Sequence, residues 1–78
     1  MTYQWVKTTY LVTADHSSPR YRANKLPCVV SGDNGYGIWG YYAYAEGYGM
    51  GHTKASEEAA ILDLFAANGC TNIRFEIA

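Results

Sequence analysis

The chain has little of what most functional classes require. Two cysteines in 78 residues, Cys28 and Cys70, cannot make a disulfide scaffold. There is no basic excess: six Lys and Arg face seven Asp and Glu, for a net charge of −1. That excludes a broad phosphate-neutralising surface. No stretch approaches the roughly 20 apolar residues of a membrane-spanning helix. The opening Met1-Thr2-Tyr3-Gln4-Trp5 lacks the basic start and apolar run of a signal peptide, so a cytoplasmic protein with reduced thiols is expected. Repeats, linkers and low-complexity tracts are absent, and residues 1–78 read as one small domain.

Chemical motifs are equally sparse. The run Gly47-Tyr48-Gly49-Met50-Gly51-His52-Thr53-Lys54 lies between a predicted strand and a predicted helix, where backbone amides favour anions. It lacks the lysine directly after the last glycine of a phosphate loop, and His52 stands where a dinucleotide fingerprint needs its third glycine. Gly35-Tyr36-Gly37-Ile38-Trp39-Gly40 has that fingerprint's spacing but runs into a strand. A tight connection is the plainer reading of both. His16 and His52 share no ligand spacing with either cysteine and read as surface loop residues. Cys28 looks buried, and Cys70 follows a helix end rather than an activating helix start. The carboxylates are scattered singly. No enzymatic activity, metal or cofactor is expected.

What the chain does have is apolar and aromatic matter: 49% hydrophobic residues and eight tyrosines. Thr2 to Ala14 reads as a strand whose alternation changes phase at Thr8 and Thr9, which predicts a bulge there or a strand covered on both faces. Asp15 to Pro19 reads as a turn. Tyr21 to Val30 reads as a second strand with Leu26, Cys28 and Val30 facing the core, and Pro27 predicts an edge or a break. Asn34-Gly35 predicts a hairpin turn. Tyr36 to Glu46 reads as a third strand, with Ile38, Tyr42 and Tyr44 on one face and Trp39, Tyr41, Ala43 and Ala45 on the other. A helix is predicted from Lys54 to Ala67. Thr53 would cap it, Ala55, Ala59, Leu62, Phe65 and Ala66 would face inward, and Asn68-Gly69 would stop it. Thr71 to Ile77 alternates cleanly, with Ile73, Phe75 and Ile77 inward. The predicted class is α+β in the order β-β-β-α-β: a mainly antiparallel four-stranded sheet with one helix on one face. The last strand is expected beside the first and parallel to it.

The segment from Gly49 through Thr53-Lys54-Ala55 to Phe65 resembles the strand-to-helix join of double-stranded-RNA-binding domains and of HicB-type antitoxins. Ala55 stands where the RNA binders place a second lysine. In size, near-neutral charge, lack of motifs and Tyr-rich strands, the whole chain is similar to small phage proteins that disarm host defence, notably anti-CRISPR proteins. That resemblance implies a non-enzymatic inhibitor in the host cytosol that binds a Cas effector and blocks nucleic-acid binding or activation. The alternative is a small RNA- or DNA-binding or antitoxin domain, with Arg20, Arg22, Lys25 and Lys54 beside Tyr36 and Tyr42 as its site.

The partner-binding residues expected from composition are Tyr36, Trp39, Tyr41, Tyr42, Tyr44, Glu46, Tyr48, Glu57 and Asp63. Aromatics supply interface hot spots, and the acids would meet a basic groove. The expected state is a monomer, or a homodimer for which Cys70, read as the more accessible thiol, offers an inter-chain disulfide.

Overall fold

The structure, a computed structural model, describes residues 5–33 and 40–78. Five strands and one helix follow in order: β1 (Trp5–Asp15), β2 (Ala23–Asp33), β3 (Tyr41–Ala45), β4 (Gly49–Met50), α1 (Glu57–Ala67) and β5 (Thr71–Ile77). A short 3₁₀ turn, Pro19–Tyr21, joins β1 to β2. The fold is α+β with a single helix and an antiparallel sheet, but the sheet has five strands, ordered β4-β3-β2-β1-β5.

The fifth strand comes from the glycine run. A turn over Glu46–Tyr48 reverses the chain, and Gly49 and Met50 then pair back onto Ala45 and Tyr44. This extra reversal changes the parity of everything after it. β5 lies beside β1, as expected, but antiparallel to it. Two residues are too few to show any periodicity, so the strand carried no signal of its own in the sequence.

Inner and outer faces follow from the register. Tyr10, Val12 and Ala14 of β1, Cys28 and Val30 of β2, and Ala43 and Ala45 of β3 are buried beneath α1. Leu26 packs against the same core from the margin. Pro27 does not make β2 an edge. It pairs with Leu11 of β1, and the β3 ladder covers only Val29–Gly32, so no β3 partner is asked to accept a bond from it. The phase change predicted at Thr8 and Thr9 is absent. The register shifts instead around Thr13, where both neighbours of β1 hold one extra residue. Lys25 of β2 and Asn72 of β5 sit there with φ of 51° and 50°. Each is the left-handed residue of a bulge that twists the sheet beside α1.

The helix begins later than expected. Ser56, not Thr53, is the N-cap, and its hydroxyl accepts from the Ala59 amide at 3.1 Å. The residues before it run alongside β3, where Lys54 and Tyr41 exchange two backbone hydrogen bonds of 2.8 and 2.7 Å. The buried stripe is accordingly Ala60, Ile61, Leu64 and Phe65, and Leu62 faces solvent. The predicted stripe was out of phase because five alanines at 55, 59, 60, 66 and 67 fit either face. The stop is as read: Gly69 takes a φ of 86°.

At about 1.5 Å per residue, the 11 residues of α1 span roughly 16 Å, whereas the 11-residue β1 and β2 span roughly 37 Å at 3.4 Å per residue. One helix therefore covers less than half the length of one face. Ile77, predicted inward, is exposed: it pairs with the buried Tyr10 but lies on β5, the outermost strand of the sheet.

Candidate interaction surface

The tyrosines of β3 divide as strand alternation requires. Tyr41 is on the helix side, where its ring lies directly over Gly32, its cross-strand partner. Tyr42 and Tyr44 are on the opposite face. Tyr42 is half-buried and Tyr44 is 46% exposed. Tyr44 pairs with Val29 on one side and with Met50, 67% exposed, on the other. Among the described residues, α1 is the only helix, and it packs on the inner face against β3, β2 and β5. Tyr44 and Met50 thus form an aromatic and thioether patch on a face that no described helix covers. Val29 and Leu11, half-buried, continue it across β2 and β1, with Lys7 and Thr9 at its rim.

Tyr48 takes a different role. Its ring stacks on Phe65 at 4.9 Å and meets Tyr21 edge-on at 6.2 Å, and its hydroxyl donates to the Tyr21 carbonyl. His16 completes the knot. Its Nδ1 accepts from the Ser18 amide at 2.8 Å, which leaves Nε2–H to donate to the Asn68 carbonyl at 2.9 Å. His16, expected to be a free loop residue, instead ties the β1–β2 turn to the end of α1. Asn68 Nδ2 donates to the carbonyls of Tyr48 and Leu64, closing the same end.

The three acids part ways. Glu46 is exposed on the β3–β4 turn and shares a shallow pocket of about 230 Å³ with Arg20, Tyr21, Arg22, Leu26, Gly47 and Tyr48. Glu57 accepts a 2.9 Å hydrogen bond from Tyr10. Burial, and after it that carboxylate, push the Tyr10 phenol up to about 12, so it stays a donor across the physiological range. Asp63 accepts from the His52 amide at 2.9 Å and pairs with Lys54 Nζ at 3.6 Å. Both acids therefore fasten α1 to the rest of the chain. Tyr36 and Trp39, with the Asn34-Gly35 turn, lie outside the described residues.

The bond from the His52 amide, and then His52 and Lys54 themselves, hold the Asp63 carboxyl below its ordinary value. A depressed carboxylate contributes stability that is fully present above its unfolded value and is lost as pH falls through the lower folded one. Asp63→Asn should therefore be less stable than the parent at neutral pH. The two should converge in acid, once pH has fallen through the lowered folded value and both side chains are neutral. Urea midpoints at neutral pH and in acid check this; an equal gap at both would contradict it.

Cys70 is the more accessible of the two thiols, as expected, at 6% exposed against 0% for Cys28, but both are buried. Cys70 points its Sγ at the Tyr21 carbonyl, 3.7 Å away. Burial raises both pKa values, Cys28 to about 11. An inter-chain disulfide through Cys70 would require opening this end of the core.

The basic residues do not form one site. Arg20 and Arg22 lie beside the start of β2 and Lys25 within it. Lys54 is fixed near Tyr41 and Gly32 at its far end, roughly 30 Å away at about 3.4 Å per residue. Among the described residues, no three His, Cys, Asp or Glu side chains are grouped to hold a metal ion, and no helix is long and apolar enough to cross a membrane. Compared with protein families, curated proteins and solved structures, the chain matches none.

Strand alternation put Tyr42 and Tyr44 on one face of β3 and Tyr41 on the other without deciding which of them meets α1, and it passed over Met50 and Val29. The signal for both is cross-strand register, which exists only once the β3–β4 hairpin is known.

Proposed function

We propose that this protein is a non-enzymatic binder of another protein, and that it binds through the sheet face opposite α1, centred on Tyr44 and Met50. The observation that supports this most is the exposure of two large apolar side chains side by side on a regular strand pair, with no helix among the described residues above them. Tyrosine offers a broad ring with a polar tip, and methionine adapts its shape to a partner, so the pair suits a hot spot. The rigid ladder beneath keeps the ordering cost of binding low.

The resemblance to anti-CRISPR proteins supplies the finer reading: the partner is a Cas effector of a host defence complex, met in the host cytosol and inhibited stoichiometrically. On this reading Tyr44 and Glu46 serve as contacts, whereas Tyr41, Tyr48, Glu57 and Asp63 act by shaping the domain. The alternative, RNA or DNA binding, is disfavoured by the separation of Lys54 from Arg20 and Arg22 and by the pairing of Lys54 with Asp63.

Two measurements on the purified chain test the proposal. An electrophoretic titration against RNA and DNA at low salt should show no shift at tens of micromolar protein, about the range of weak non-specific binding. Sizing of the chain with a captured partner should show a protein complex free of nucleic acid. A salt-sensitive shift, or nucleic acid in place of a protein partner, would overturn it.

A further inference from the structure

The two edges of the sheet are treated differently. The β4 edge is blunted: only Gly49, Met50 and the Gly51 amide pair regularly with β3, and two residues, His52 and Thr53, then bulge out before Lys54 rejoins Tyr41. The β5 edge is seven residues long, contains no proline, and is paired on its outer side by no strand among the described residues. Such an edge is a template for another strand.

Its unpaired groups can be identified. The Ala78 amide donates to the Thr9 carbonyl at 3.0 Å, so along this ladder the backbone groups of Arg74 and Glu76 face β1. Those of Phe75 and Ile77, and by the same alternation Ile73, face outward. Their side chains stand on the helix side of the sheet, where Ile73 and Phe75 pack against the margin of the core and Ile77 is 69% exposed. Arg74 and Glu76 are exposed on the other face, with opposite charges two residues apart.

We propose that the protein self-associates through β5, in a two-fold antiparallel pairing centred on Phe75 that joins two five-stranded sheets edge to edge. The register follows from charge. Centring on Phe75 sets Arg74 opposite Glu76 of the second copy, twice, and brings Ile73 against its Ile77. Sliding the centre to Arg74 or to Glu76 sets like charges directly opposite each other, which destabilises a strand pair. In the Phe75 register the outward groups of residues 73, 75 and 77 all meet hydrogen-bonding partners, and the exposed Ile77 gains an apolar neighbour. β3 and β4 lie at the opposite edge, so the Tyr44–Met50 face stays free, and this inference does not depend on what binds there.

The test is a charge-swap mixture followed by sedimentation or light scattering. Arg74→Glu alone and Glu76→Arg alone each place like charges across the seam and should weaken self-association at least about tenfold. Mixed one to one, they should associate again, because each then faces the opposite charge. The Arg74 contact to Asp15 is long, 3.8 Å, and exposed, so both variants should keep the parent's circular dichroism. Ile77→Lys, at a position already in solvent, provides a second variant and should also weaken the dimer. Parent protein that stays monomeric up to about 1 mM, where association is worth only about 4 kcal/mol, would overturn the proposal. So would a mixture that associates no better than its components.

Discussion

Gly32→Ala is expected to destabilise the domain by about 2 kcal/mol, a fall in melting temperature of roughly 10 °C for a domain of this size. A β-carbon at position 32 would lie 2.0 Å from Tyr41 Cδ1 and 2.4 Å from Cε1, far inside van der Waals contact. The ring cannot simply slide along the strand. Tyr41 is held in register by Gly32 on one side and by two backbone bonds to Lys54 on the other. It must therefore swing off the sheet, uncovering the core margin it packs against. Tyr41→Ala alone removes that packing and should also be destabilising. Adding Gly32→Ala to Tyr41→Ala should cost little further, because the clash has gone. Urea unfolding of the two single variants and the double forms the cycle. Additive losses, or a Gly32→Ala protein as stable as the parent, would show that the ring does not rest on the glycine.

Combined truncation of Tyr44 and Met50 to alanine should weaken partner binding by about 100-fold, roughly 2.7 kcal/mol, with stability changed by no more than about 0.5 kcal/mol. Both side chains are largely in solvent, so the fold gains little from them. Desolvation against a partner is where they would contribute. Leu62→Ala supplies the contrast. Leu62 is 43% exposed, close to Tyr44, but projects from α1 on the other side of the sheet. Its truncation should leave affinity within about threefold. Equal losses at Tyr44 and Leu62 would place the contact elsewhere.

These two variants also show which parts of the molecule could be read from the sequence. Strand alternation sorted Tyr41 from Tyr44 correctly, and it found β5 and the inner side of β2, because a period of two reports a face directly. The helix phase was not legible. Thr53 and Ser56 both make good caps, and alanines on every side blurred the stripe. Asp63 and Glu57 looked like free acids because their partners are remote in sequence. His52 lies 11 residues from Asp63, and Tyr10 lies 47 from Glu57. No local pattern announces such pairs. The Pro27 rule misled for a related reason: proline needs only a missing neighbour on its amide side, and β3 is too short to reach it.

The most direct test of the protein-binding reading is parallel capture from a lysate of the native host on three immobilised chains: the parent, the Tyr44→Ala/Met50→Ala double variant and Leu62→Ala. The captured material is identified by mass spectrometry and its affinity for each chain is then measured. The open-face account predicts one defined polypeptide held by the parent and by Leu62→Ala and lost from the double variant. The same polypeptide held equally by all three chains, or nucleic acid recovered in its place, would contradict it.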